Sequence, residues 1–155
     1  SLRQSQLEKR MGRQHLLRAL YEILEGGRVT EELNIRTVPF RQIRGRRTWS
    51  DRQLRDYIRR AYNEGLVEVP NKADSILLTE TGLVEAKQVT RNHRLWEMYL
   101  IEYADVATSR VDRDADMVEH ILGDKMVTRL ENKLQAYRIA GSLVPQSPHP
   151  IHPGD

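Results

Sequence analysis

The sequence predicts a mainly α fold with one small β-hairpin set between two groups of helices. Three observations carry that expectation. Apolar residues recur at helical spacing through three separate stretches before Gly65. The period then changes to two short apolar runs, Leu66–Val69 and Ile76–Leu78, on either side of a segment with strong turn chemistry. From Thr79 the helical period returns and holds for about 24 residues.

Each element follows from its residues. Between Gln6 and Leu24 the apolar positions Leu16, Leu17, Leu20, Tyr21, Ile23 and Leu24 mark one face of an amphipathic helix, which Gly26-Gly27 ends. The stretch Arg28 to Val38 reads as irregular. Pro39 suits the first turn of a short second helix, PFRQIRGRR, reaching about Arg46. Ser50-Asp51-Arg52-Gln53 is a capping box, with Ser50 the N-cap and Gln53 reaching back. Leu54, Tyr57, Ile58, Ala61 and Tyr62 then form the apolar stripe of a third helix that Gly65 stops. Three helices followed by a hairpin is the winged helix-turn-helix order. In that order the third helix enters the DNA major groove and the hairpin loop lies beside the backbone. Beyond Thr79 a long helix passes through Leu83, Ala86, Val89, Leu95, Met98 and Leu100 to Ala104. Two more are expected over Arg110–Leu122 and Asp124–Tyr137, split at Gly123. The end, SLVPQSPHPIHPGD, reads as an extended surface segment with His149 and His152 solvated. The domains are therefore expected at 1–80, 81–141 and 142–155, the last a Pro-rich tail.

Composition narrows the chemistry. The chain has 155 residues, 39% of them hydrophobic, enough for one compact domain or two small ones sharing a long helix. No apolar run approaches a membrane span and SLRQSQLEKR holds no signal-peptide core, so the chain as given is expected in the cytoplasm. It opens on Ser1 rather than Met, which suggests processing or a longer parent chain. With no Cys, disulfides, zinc ribbons and thiolate nucleophiles are excluded, and any metal site must use carboxylate, imidazole, carbonyl or water. No nucleophile–base pair, phosphate loop or acid–base dyad stands out, so the chain is not read as an enzyme. Charge is uneven. Residues 1–70 carry 15 Lys and Arg against 9 Asp and Glu, and residues 71–155 carry 10 against 13. Eight Arg and two acids fall within residues 41–60, a local excess suited to phosphates. The candidate DNA contacts are Arg46, Arg47, Arg52, Gln53, Arg55 and Arg59, with Lys72 in the hairpin loop.

The acidic half holds the second candidate site. In DADMVEHIL, residues 114–122, Asp116, Glu119 and His120 fall within about 100° of one another on a helix. His93 and Glu97 share a face of the long helix at i, i+4. Apolar neighbours Leu95, Trp96, Val118 and Ile121 would pack the two helices together, so a divalent cation bridging them would fix their angle. His15 on the first helix could add a donor from the other half. Such oxygen and imidazole ligands favour Mn²⁺ or Fe²⁺, with Zn²⁺ also compatible.

Taken together, a winged helix, then Leu78-Thr79-Glu80-Thr81-Gly82, Arg91-Asn92-His93-Arg94-Leu95-Trp96-Glu97 and Asp116-Met117-Val118-Glu119-His120 resemble the diphtheria-toxin-repressor family of iron- and manganese-dependent regulators. The resemblance covers about residues 14–151. It implies that His93, Glu97, Glu119 and His120 match metal ligands and that the helices after the wing form a metal-binding and dimerisation domain giving a homodimer. Asp116 stands where the iron-type members have Cys and the manganese-type have Glu, which resembles the manganese branch. His15 falls where the family's first helix supplies a Met or Asp ligand. The run RNHRLWEMYLIEYADVATSRVDRDADMVEHIL with Pro145–Pro150 is also similar to the cytosolic C-terminal domain that some manganese, zinc or iron ABC-transporter permeases carry. Three functions follow as expectations. The first is a metal-responsive sensor module of such a permease, fused outside this segment and facing the cytosol. The alternative is a free-standing metal-dependent repressor that binds operator DNA through helix 50–64 and wing 70–75. A sensor that keeps its dimer but has lost metal control is the third.

Overall fold

The computed structural model describes residues 1–27, 36–70, 74–122, 126–133 and 144–151. The elements run α1 (Leu2–Gly26), β1 (Thr37–Pro39), α2 (Phe40–Arg44), α3 (Asp51–Asn63), β2 (Val67–Glu68), β3 (Ser75–Leu78), α4 (Glu80–Ala104), α5 (Val111–Leu122) and α6 (Val127–Lys133). The chain divides into two compact units, Ser1–Ala86 and Lys87–Ile151, so the division falls inside α4. Among the described residues no helix is long and apolar enough to cross a membrane. Lys72, Gly123, His152 and much of the expected 124–137 helix lie outside the described residues.

The first unit is a three-helix winged fold. Leu16, Leu17 and Leu20 of α1, Ile43 of α2, and Leu54, Ile58 and Ala61 of α3 are buried, together with Val38, Val67, Ile76 and Leu78 of the strands. Apart from Val38 and Ile43, these lie at positions the helical and strand periods single out. The expected capping box forms at α3: Ser50 Oγ accepts from Gln53 N–H at 3.1 Å and Gln53 Oε1 accepts from Ser50 N–H at 3.1 Å. Gly65, at φ 76°, takes the left-handed conformation that turns the chain from α3 into β2.

Two details differ from expectation. Among the described residues the sheet has three strands in the order β1-β3-β2, rather than the two of a hairpin. Thr37 and Val38, read as irregular, and Pro39, read as the first turn of the second helix, pair antiparallel with Ser75-Ile76-Leu77, Val38 facing Ile76. Pro39 ends that strand at the sheet edge, where its missing N–H costs no ladder bond, and also serves as the N-cap of α2. Helix α2 then stops at Arg44, capped by Gly45, short of the expected Arg46.

Where the wing meets α4 the packing is tight. Leu66 C=O accepts from Thr79 N–H at 3.0 Å, and Thr79 Oγ1 accepts from Gly82 N–H at 3.0 Å, capping α4. A Cβ on Gly82 would lie 1.9 Å from the Leu66 oxygen, so only glycine fits there. Gly26, at the end of α1, has no atom within 4 Å of such a Cβ. Gly82→Ala should therefore destabilise the chain by about 2 kcal/mol or more, whereas Gly26→Ala should be neutral or stabilising by up to about 1 kcal/mol. Paired thermal melts would check this; equal melting temperatures would mean that the Leu66–Gly82 approach does not constrain the fold.

Candidate metal centre

The second unit is assembled on α4 and α5. Leu95, Trp96 and Leu100 of α4 form one buried cluster with Val111 and Ala115 of α5 and Leu130 of α6. Trp96 meets Tyr99 edge-on at 6.0 Å between ring centroids. Asp105, in the left-handed conformation at φ 51°, ends α4 and begins the turn into α5. Arg91 reaches across to Glu131 of α6 at 2.6 Å. This apolar packing carries the neighbouring residues of the same inner faces out of water. His93 and Glu97 on α4 and Asp116 and Glu119 on α5 are all buried.

His93 stands at the centre of the polar group. Its Nε2 lies 2.8 Å from Oδ1 of Asp112 and 3.4 Å from Oε1 of Glu97. Its Nδ1 lies 3.2 Å from Oδ1 of Asp116 and 3.5 Å from Oε2 of Glu119. The carboxylates thus fall into two donor sets, His93–Asp116–Glu119 and His93–Glu97–Asp112, one on each ring nitrogen. A neutral imidazole has one lone pair and one N–H. Whichever nitrogen ligates a cation, the other can donate to the opposite carboxylate set and hold the ring in place.

The donor chemistry fits a divalent transition metal. Burying carboxylates is costly unless positive charge or hydrogen bonds compensate. The Glu97 side chain is 1% exposed and faces the imidazoles of His93 and His149. A cation held by these residues would supply the positive charge that the buried carboxylates face. Imidazole and carboxylate without sulfur suit Mn²⁺, Fe²⁺ or Zn²⁺.

Of the residues singled out from sequence, His93, Glu97, Asp116 and Glu119 come together. His120 is half-buried on α5 and belongs to neither donor set among the described residues. His15 is likewise in neither set; it lies in the first unit with Nδ1 2.8 Å from Nη1 of Arg47. Two residues were missed. Asp112 is one helical turn before Asp116, an i, i+4 step that the sequence did offer as a signal. His149 was assigned to solvent, but the Pro-rich tail folds back onto α4. Pro145 is buried, its carbonyl accepts from Nη1 of Arg94 at 2.9 Å, and Nδ1 of His149 lies against Oε2 of Glu97. The Glu97 carboxylate raises the His149 pKa above the ordinary imidazole value, against the opposing effect of burial.

The arginine-rich face is more selective than its composition suggests. Arg44 pairs with Asp51, and Arg46 is mostly buried 3.6 Å from Glu22. Arg47 contacts His15, and Gln53 is engaged in the capping box. Asp56 holds both Arg59 and Arg60. Arg52, Arg55 and Arg59 project from the exposed side of α3. They and Gln53, which is exposed as well as engaged in the capping box, are the candidate DNA contacts that remain outward among the described residues, while Arg46 and Arg47 are engaged within the first unit.

Comparison with known proteins bears on both units. Residues 79–139 match the family model described as iron dependent repressor, metal binding and dimerisation domain. That match covers 61 of the 155 residues, all of them after the wing. It contains both donor sets. A probable metal transport system membrane protein of Chlamydia trachomatis is 40% identical over 58 residues, 37% of this chain and 13% of that protein. An uncharacterized HTH-type transcriptional regulator of Methanocaldococcus jannaschii is 29% identical over 63 residues, 41% of this chain and 50% of that protein. The manganese regulator SloR shares the fold with a TM-score of 0.65 at 23% identity, over 91% of this chain and 62% of SloR. The chain thus spans half or less of the curated relatives it matches and under two thirds of this structural neighbour.

If the α4–α5 sets hold a metal, Asp116→Ala should weaken Mn²⁺ binding by at least about tenfold. Calorimetric titration of the chelator-stripped protein and the variant checks this, and superimposable isotherms would remove Asp116 from the ligand set.

Proposed function

We propose that this chain is a metal-responsive regulator that binds Mn²⁺ or Fe²⁺ at the α4–α5 donor sets, assembles as a homodimer through its repressor-family domain, and binds DNA through α3 and the wing. One observation carries the reading: a buried imidazole flanked by four carboxylates lies within the segment matched to a metal-binding and dimerisation domain. The winged first unit, with Arg52, Arg55 and Arg59 outward on α3, supports the DNA half of it. A free-standing cytoplasmic regulator is the reading best supported, because the fold likeness to SloR runs through both units and a second relative is named as an HTH-type transcriptional regulator. The similarity to the chlamydial membrane protein favours a second setting, the same sensor carried on the cytosolic face of a metal permease.

The test is a salt titration of duplex binding. The metal-loaded protein should bind a labelled DNA duplex more tightly than the chelated protein, with affinity falling steeply as salt rises. Arg55→Ala combined with Arg59→Ala should weaken binding and lower the slope of log K against log salt by about 2. A double variant with unchanged affinity and slope would exclude α3 from the nucleic-acid face, and indifference to metal would separate any DNA binding from the sensor.

A further inference from the structure

We propose that the Pro-rich tail is a latch that positions Glu97: residues 144–151 dock on α4, and His149 holds the carboxylate oxygen turned away from His93, so that docking of the tail and filling of the donor sets favour each other. His149 is in this role a positioning residue and not a ligand. The inference rests on the metal-sensing reading above and gives the tail a part in it.

The two oxygens of Glu97 are divided between two imidazoles. Oε1 lies 3.4 Å from Nε2 of His93, whereas Oε2 lies directly against Nδ1 of His149. That second contact is too close to admit an ion between its atoms, so His149 acts on the site through Glu97. A long side chain such as glutamate loses rotamer freedom when it is fixed. Held by its far oxygen, Glu97 has lost that freedom before a cation arrives, and its near oxygen stays turned to His93. An imidazole can donate from Nδ1 whether neutral or protonated, so the latch needs no change of charge.

Two anchors on one face of α4 set the tail in place. Arg94, three residues before Glu97, is 1% exposed and donates to the Pro145 carbonyl at 2.9 Å, and Pro145 is itself buried. Residues three apart on a helix are neighbours on its surface, so the guanidinium and the carboxylate grip the tail at Pro145 and at His149. Between these points Ser147 Oγ donates to the His149 carbonyl at 2.9 Å, closing a local turn. Pro145, Pro148 and Pro150 restrict the undocked segment and so reduce the entropy lost on docking. All of these groups lie within the second unit. Linkage between two binding events is reciprocal: a docked tail that raises cation affinity by some factor is itself docked more firmly by the cation, by the same factor. Occupancy between α4 and α5 is thereby converted into the docking of a surface segment.

The test is a calorimetric titration of the chelator-stripped full chain with Zn²⁺, a diamagnetic ion that also permits ¹⁵N spectra of ring-labelled histidines. His149→Ala should bind Zn²⁺ at least about tenfold more weakly than the wild type, with an unchanged metal-free circular dichroism spectrum. His149→Asn, whose amide N–H stands in for Nδ1–H, should recover most of that loss. In the wild type the His149 ring, assigned by its absence from the His149→Asn spectrum, should keep the shifts of an uncoordinated imidazole when Zn²⁺ is bound. Equal or tighter binding by His149→Ala would overturn the latch, the tighter case making the tail a competitor of the ion. Zn²⁺-coordinated shifts at His149 would overturn it too, by making the ring a ligand. The sensor reading survives each of these results. If the wild type binds neither Zn²⁺ nor Mn²⁺, the sensor reading falls and the latch with it.

Discussion

The second unit depends on one constraint, the burial of charge between α4 and α5. Leu95, Trp96 and Leu100 pack on Val111 and Ala115, and this packing takes His93, Glu97, Asp116 and Glu119 out of water with them. A single imidazole cannot neutralise four carboxylates. Protons, hydrogen bonds or a cation must make up the difference, because ionised groups cannot remain buried without compensation. The two carboxylate sets on opposite nitrogens of His93 follow from that need. One nitrogen can ligate, and the other can anchor the ring. The same packing that stabilises the helix pair therefore builds a place for a metal.

The first unit solves a different problem with the same economy of parts. Its core is mainly apolar, from Leu16 and Leu20 to Ile58 and Leu78, with Arg18 of α1 buried as well, and most of its other arginines reach the surface. There the arginines divide by geometry. Those facing Glu22, Asp51 or His15 are engaged within the fold, whereas α3 leaves Arg52 and Arg55 exposed on the side away from its apolar stripe. A surface of that kind attracts phosphates through long-range electrostatics and leaves base-edge contacts to a few side chains. The count of arginines in the sequence thus overstates the number able to reach a nucleic acid.

Helix α4 carries residues essential to both units, Gly82 beside the wing and His93 and Glu97 beside α5. Its length follows from an uninterrupted helical period with no proline or internal cap. Its start is fixed by Thr79, whose hydroxyl satisfies the Gly82 N–H while its own N–H bonds the Leu66 carbonyl. A residue larger than glycine at position 82 would overlap a backbone oxygen.

The sequence by itself determined what depends on neighbours along the chain. Helical periods, the Ser50–Gln53 capping box, the glycine turn at Gly65 and the i, i+4 pair His93–Glu97 are all local, and all are present in the structure. Only the tertiary structure decided what depends on partners distant in sequence. Thr37–Pro39 is a strand because β3 pairs with it, and three residues ending in proline have no strand period of their own. Arg46 and Arg47 turn out to be engaged because Glu22 and His15 of α1 lie opposite them. Asp112 joins the donor set only once α5 is set against α4, although its spacing from Asp116 placed it on the right face. The largest gap is His149. A proline-rich segment reads as solvated because nothing local holds it; the buried Arg94 guanidinium and the Glu97 carboxylate, both on α4 more than fifty positions earlier in the chain, give it somewhere to bind.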